Sequence, residues 1–351
     1  MADKFLHGVE VLEIDTGPRP IRTVRSSVVG IVGTAPDAAG ATAATLTLGR
    51  EAANTAIEFT AASAGVTGNN ITVEFVNPGT NSASLSVSVA GNAISVALAT
   101  DTNGDVSSTA SEVITAIGSD TDASALVSAA NAGSSDGSGV VKATSLPQAL
   151  AGGTDEPFPL NTPVLVAGNR GKIADLDTTG DRKGTLADAL DGIFDQIGAV
   201  VVVVRVEEGA DEQATIANVV GGTNATTGNL EGVHALTGAE SVVGFNPRIL
   251  CAPGYTHQRD TTANPVVSEL LGIAERMRAV IIADGPNTTD EAAIQYREDW
   301  GSDRVYIVDP WVKVLASDGS TKVQPASARV AGVIAKIDND RGFWWSPSNN
   351  V

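Results

Sequence analysis

Cysteine occurs once in 351 residues, at Cys251 in the apolar run "RILCAP". A lone thiol excludes an internal disulfide and leaves no second thiolate for a metal site, so Cys251 reads as a buried core residue. Basic residues are scarce: 22 Lys and Arg stand against 41 Asp and Glu, for a formal net charge of -19. Binding to phosphate backbones or anionic bilayers needs clustered cations, which excludes a general nucleic-acid binder or an anionic-membrane binder. No apolar run reaches the roughly 18 to 20 residues that span a bilayer, and "IGAVVVVVRV" is ended by Arg205, so it reads as a buried strand and no membrane insertion is expected. The start "MADKFLHGVEVLEID" lacks the apolar centre of a signal peptide, which predicts synthesis and first folding in the cytoplasm.

Motifs of metal, nucleotide and acyl chemistry are missing too. His7, His234 and His257 share no ligand spacing, and neither H-E-x-x-H, C-x-x-C nor G-x-S-x-G occurs. "GIVGTAPDAAG" follows a strand as a phosphate loop would, yet has neither the Lys-Ser/Thr of a P-loop nor the G-x-G-x-x-G spacing, and Pro36 marks it as an exit turn. "DTNGDVSSTASE" sets Asp101, Asn103, Asp105 and Glu112 at calcium-loop positions, but Val106 stands where glycine is required; the simpler reading is a turn at Asn103 and Gly104 and a helix cap at Glu112. "DLDTTGDRKGTL" has Leu186 in place of the bidentate glutamate. No metal and no cofactor are therefore expected. One loop stays open as an alternative: "PGYTHQRD" gathers Tyr255, His257 and Asp260 after a strand, where an α/β enzyme keeps its site, although a nucleophile and an oxyanion hole are both unassigned.

What is present divides the chain by composition. Residues 41–156 are rich in Ala, Ser, Thr, Gly and Asn, have only Arg50 and Lys142 as bases, and only Phe59 and Phe75 as aromatics. "AIEFTA", "NNITVEFV", "ASLSVSVAG" and "AISVALAT" alternate apolar and polar residues between turn signals, and "STASEVITAIGSD" becomes helical behind a Thr109–Glu112 capping box. This segment predicts a mostly β module with one or two helices. On either side, "SSVVGIVGTAP", "TPVLVAG", "AVVVVVRVE", "PRILCAPG", "AVIIADGP" and "RVYIVDPWVKV" read as strands. "TLADALDGIFDQIG", "NPVVSELLGIAERMR", "TTDEAAIQYREDWG" and "QPASARVAGVIAKIDND" read as helices, with Pro325 in the first turn of the last. The alternation predicts an α/β (α+β) body of residues 20–40 and 157–351, with the β module of 41–156 inserted in it.

Residues 1–19 predict an extended N-terminal arm and tether. "FLHGVEVLEID" suits neither a core strand nor a solvated one, so Phe5, Leu6, Val9, Val11, Leu12 and Ile14 are candidates for strand addition to a sheet edge, in a neighbouring molecule or in the chain's own sheet. Gly17, Pro18, Arg19 and Pro20 form the tether and hinge, since proline keeps the backbone extended and glycine allows a bend.

The stretch "FLHGVEVLEIDTGPRPIRTVRSSVVGIVGTAPD", then "FPLNTPVLVAGNR", then "GFWWSPSNNV" resembles the contractile tail sheath proteins of myophages and R-type tailocins. The matching positions are Gly8, Val9, Gly17–Ile21, Ser27, Gly30, Gly33–Pro36, Pro159–Pro163, Gly342, Phe343 and Ser346–Asn349. The resemblance implies a structural subunit without enzymatic activity. It implies homo-oligomeric hexameric rings stacked as a helical sheath around an inner tail tube protein, with baseplate and tail terminator proteins at the ends. It also implies arms exchanged between subunits, contraction without nucleotide, and a place in the virion tail or tailocin particle after assembly in the host cytoplasm. The family's C-terminal domain, which contacts the tube and carries the receiving sheet, is expected to be absent from this chain. The inserted module implies an outward-facing decoration, with a surface-binding adhesin role as its alternative.

Overall fold

The computed structural model describes residues 27–259, 262–315 and 319–349. Five successive valines open the strand Val200–Val206, and such a run is stable only between two apolar layers. Val202, Val204 and Val206 enter one core and Val201 and Val203 the other, the two-residue period of a strand. This strand lies next to one edge of a six-stranded sheet whose order is Val305–Val308, Val280–Asp284, Ile249–Cys251, Val29–Thr34, Val200–Val206, Pro163–Ala167. The first five are parallel, and Pro163–Ala167 closes one edge antiparallel, aligning Ala167 with Val200. A proline that begins an edge strand costs the ladder nothing, because its missing N–H would be at the strand's end.

Helices cover both faces. Leu186–Phe194 and Ser327–Arg341 share a core with Val29, Ile31, Val201 and Val203, while Glu212–Val220 and Pro265–Met277 pack on the opposite face with Val32, Val202 and Val204. The architecture is therefore α/β, a doubly wound sheet between two helical layers. Local chemistry accounts for the helix starts: Asn264 accepts a hydrogen bond from the Val267 N–H at 3.0 Å with Pro265 in the first turn, and Thr289 accepts from Ala292. Cys251 is fully buried, and burial pushes its thiol far above the usual range, so it is an inert core residue.

Residues 44–150 contribute a third, separate core built around Phe59, Phe75, Ile94, Val96 and Val113. It lies between a three-stranded antiparallel sheet (Thr45–Leu48, Ile57–Ala61, Val127–Asn131) and a four-stranded one (Ser86–Ala90, Ala93–Ala97, Thr72–Val76, Gln148–Ala149), with helices Ala110–Ser119 and Thr121–Leu126. The capping box forms as read: the Thr109 N–H donates to Glu112 Oε2 at 2.8 Å and the Glu112 N–H to Thr109 Oγ1 at 3.3 Å. Asp101 Oδ1 accepts from the Asn103 and Asp105 N–H groups, so the calcium-like loop is a hydrogen-bonded turn.

Two expectations are corrected. "RVYIVDPWVKV" is two strands: Val305–Val308 joins the main sheet, whereas Val312–Leu315 pairs with Thr321–Gln324 in a separate hairpin. Pro310 has no N–H to continue the ladder, which breaks the run there. Pro325 precedes the N-cap residue Ala326 of the last helix instead of standing in its first turn.

Candidate functional site

In a doubly wound sheet, ligands bind beyond the C-terminal ends of the strands, between neighbours whose following helices lie on opposite faces. Here those neighbours are Val29–Thr34, whose next helix in the body, after the inserted segment and the strand Pro163–Ala167, is Leu186–Phe194, and Ile249–Cys251, followed by Pro265–Met277. The loop "PGYTHQRD" occupies that crevice. Tyr255 lies 8% exposed with its hydroxyl 2.8 Å from Thr34 Oγ1, and the Thr34 N–H donates to Thr185 Oγ1 at 3.3 Å. Gly33 allows this closure, since a Cβ there would stand 2.3 Å from Thr185 Oγ1. Burial raises the Tyr255 phenol above its usual range, which keeps it neutral.

Other groups of the loop are paired as well, although His257 Nδ1 and Gln258 Oε1 are buried without a hydrogen-bond partner among the described residues. Thr256 Oγ1 accepts from the Asp284 N–H at 2.9 Å, and the Thr256 carbonyl accepts a hydrogen bond from the Tyr296 hydroxyl. The Asn264 side chain donates to the Tyr255 and Gln258 carbonyls. Arg259 forms a two-bond ion pair with Asp299 at 2.6 and 3.0 Å. His257 sets its ring edge-on to Trp311, with centroids 4.8 Å apart. Tyr255 and His257 thus come together in a crevice their neighbours fill, and Asp260, the third residue of that alternative, lies outside the described residues.

His257 carries a pH dependence with a definite sign. Burial holds its imidazole below the ordinary value of 6.5, against a smaller upward pull from Glu212. The unfolded chain therefore takes up a proton near pH 6.5 while the folded chain resists it, so stability falls as pH drops through that value. Melting temperature should be lower at pH 5.5 than at 7.5, and His257→Gln should reduce the difference. An equal acid-induced drop in the variant would remove His257 as its source.

A second surface collects at the opposite edge of the sheet. The helix Ser327–Arg341 begins at the C-terminal end of Val280–Asp284, where Ser327 binds Asp284, and its 15 residues advance about 22 Å, the length of the strands it crosses. It ends at Gly342, whose N–H donates to the Asp338 carbonyl at 3.0 Å, and the chain continues into three aromatics. There Phe343, Trp344 and Trp345 are 69%, 73% and 49% exposed, with the Arg341 guanidinium 5.1 Å from the Trp345 ring centre. Sequence reading used these aromatics only as part of a resemblance; three adjacent aromatics after an amphipathic helix were the available signal for an exposed contact surface. The candidate arm residues Phe5, Leu6, Val9, Val11, Leu12 and Ile14, and the tether Gly17, Pro18, Arg19 and Pro20, lie outside the described residues.

The motif "PLNTP" gains a physical basis. Asn161 sits in the left-handed region at φ 55°, its N–H donates to the Arg205 carbonyl at 2.8 Å, and its Oδ1 accepts the Gly232 N–H at 2.9 Å. Asparagine tolerates that backbone and supplies the acceptor as well.

Residues 228–351 match the family description "Phage tail sheath protein central domain". A putative prophage major tail sheath protein of Pseudomonas aeruginosa (strain UCBPP-PA14) is 41% identical over 162 residues, 46% of this chain and 40% of that protein. The tail sheath protein of Burkholderia phage BcepMu is 29% identical over 358 residues, 99% of this chain and 65% of that protein. Among solved structures, the helical sheath of the anti-feeding prophage in its contracted state aligns with a TM-score of 0.37 at 22% identity, over 56% of this chain and 47% of that one. The chain spans about half the length of the curated relatives it matches. The resemblance to contractile tail sheath proteins is thereby supported by a family match and by relatives alike.

Proposed function

We propose that this chain, similar over nearly its whole length to a tail sheath protein, belongs to a structural subunit of a contractile tail sheath. The match of residues 228–351 to a sheath central domain carries the reading. Subunits stack as hexameric rings into a helical sheath around an inner tube, bounded by baseplate and terminator proteins, in a virion tail or tailocin particle assembled in the host cytoplasm. Residues 5–14 act as a strand lent to a neighbour and residues 17–20 as its hinge: ladder hydrogen bonds persist while tether dihedrals absorb the change in angle. Contacts of this head-to-tail kind do not close on themselves, which is the symmetry a tube requires. Contraction then releases free energy stored at assembly, without nucleotide, and the filled crevice at Thr34 and Tyr255 is consistent with a body that turns over no substrate. Residues 41–156 form an inserted outer module, with its own core, on the body of residues 20–40 and 157–351.

Sedimentation velocity and negative-stain microscopy of the full-length protein, with the receiving sheet present, test this. Rings or tubes are expected without nucleotide, and at higher salt, where the charge of -19 is screened. Removing residues 1–16 should leave an unchanged melting temperature and a monomer. A full-length protein that stays monomeric under every condition refutes the sheath reading, while assembly that survives the deletion refutes only the arm.

A further inference from the structure

Between Ala41 and Glu156 the sequence has eleven acidic residues and only two basic ones, Arg50 and Lys142. Ninety-two positions apart, both line the same cavity, of about 470 Å³. No carboxylate lines it. Chance placement of the only two cations in so acidic a segment would scatter them, and each would find acidic neighbours. Instead neither the guanidinium nor the ammonium has a hydrogen-bond or ion-pair partner among the described residues, the Arg50 contacts being made by its backbone. Glu51, next to Arg50 in sequence, is turned away and held by the Ser134 N–H and hydroxyl at 3.3 and 3.1 Å.

The walls are fixed. The Arg50 N–H donates to Thr55 Oγ1 at 3.0 Å, and that hydroxyl returns a bond to the Arg50 carbonyl at 3.3 Å. Opposite, the Gly139 N–H donates to the Asn54 carbonyl at 2.9 Å, in an approach so close that a Cβ on Gly139 would stand 2.0 Å from the Ala53 carbonyl. Thr144 is tied to Phe75 through both its N–H, at 2.8 Å, and its hydroxyl, at 3.1 Å, which sets Lys142 on the rim. Phe75, 3% exposed, and half-exposed Val140 also line the cavity.

We propose that this cavity binds a single carboxylate- or phosphate-bearing sugar. Arginine offers a planar two-bond fork for such an anion and lysine a second point charge, and the volume lies within the roughly 300–1,000 Å³ typical of small-ligand sites. The apolar wall suits the C–H face of a pyranose. The surrounding excess of carboxylates repels a polyanion while leaving one compact charge free to enter. This site stands independently of the sheath reading.

Saturation-transfer NMR on the full chain at low salt tests it, with D-glucuronate, glucose 6-phosphate and glucose as probes, because the method tolerates an assembled protein. Both anions should bind at least 10-fold more tightly than glucose, and the double variant Arg50→Gln/Lys142→Gln should lose at least 10-fold in affinity for them at an unchanged melting temperature. Preference for glucuronate identifies an acidic sugar as the source of the charge, and preference for glucose 6-phosphate a phosphorylated one. Equal binding of glucose, or undiminished binding by the double variant, overturns the proposal. So does a double variant with altered sedimentation in a chain that takes up no sugar, since the cavity would then receive a carboxylate of a second copy.

Discussion

Asp284→Ala should lower stability by about 3–5 kcal/mol, the largest single-site loss expected in the body, because it strands several buried donors at once. Asp284 ends the strand Val280–Asp284 with no exposed surface. Its carboxylate accepts the Ser327 N–H at 2.8 Å and the Ser327 hydroxyl at 2.7 Å, both from the start of the helix Ser327–Arg341, and the Thr256 hydroxyl at 3.4 Å. Ser327 and Thr256 are fully buried, so water cannot replace the lost acceptor. Burial pushes the Asp284 carboxyl above the usual range, and the Ser327 bonds oppose that shift. Asp284→Asn keeps one acceptor, and the two hydroxyls can rotate to accept from its amide, so a loss of about 1–2 kcal/mol is expected. Urea denaturation of the three proteins measures this. A loss below about 1 kcal/mol for the alanine variant would show that the Asp284 cluster does not hold the last helix to the sheet.

The second large effect belongs to Arg205, whose side chain, 11% exposed, stands where the chain leaves for residues 41–156 and where it comes back. Its Nε donates to the Phe158 carbonyl at 2.7 Å, one terminal nitrogen to the Ala35 carbonyl at 3.4 Å, and the other pairs with Glu156. One guanidinium therefore pins both crossings to the strand Val200–Val206, and lysine cannot imitate its fork. Arg205→Ala should cost about 2–3 kcal/mol, less than a fully buried pair because Glu156 keeps 32% of its surface in water. Hydrogen exchange should accelerate at residues 35–39 and 156–162 and stay slow in the core around Phe59 and Ile94. Arg205→Lys should recover less than half of the protection. Unchanged exchange at the two crossings would mean that the strands alone fix the seat of the inserted segment.

The strands and helices of the body were legible because they follow from local pattern. Val200–Val206 is apolar throughout, and Asn264-Pro265 and Thr109–Glu112 carry capping chemistry that acts within one turn. The break at Pro310 was missed because Val305–Leu315 is strand-like on both sides, and only the partner of each half separates them. The candidate loop "PGYTHQRD" was found in the right place, beyond a strand end, but its committed state was invisible: Thr34, Asp284 and Asp299, which occupy its side chains, come from three distant parts of the chain.

Composition and spacing by themselves determined the acidic balance, the lone cysteine, the α/β alternation and the β-rich segment, since each is a sum or a short-range property of the chain. Tertiary structure alone decided that Arg50 and Lys142 share a cavity, that Arg205 holds two crossings, that Tyr255 fills the crevice of the sheet and that three adjacent aromatics stay exposed after the last helix. The reason is physical: sequence fixes what each residue prefers within a turn or a strand, whereas a site is a meeting of residues far apart in the chain, and only packing brings them within bonding distance.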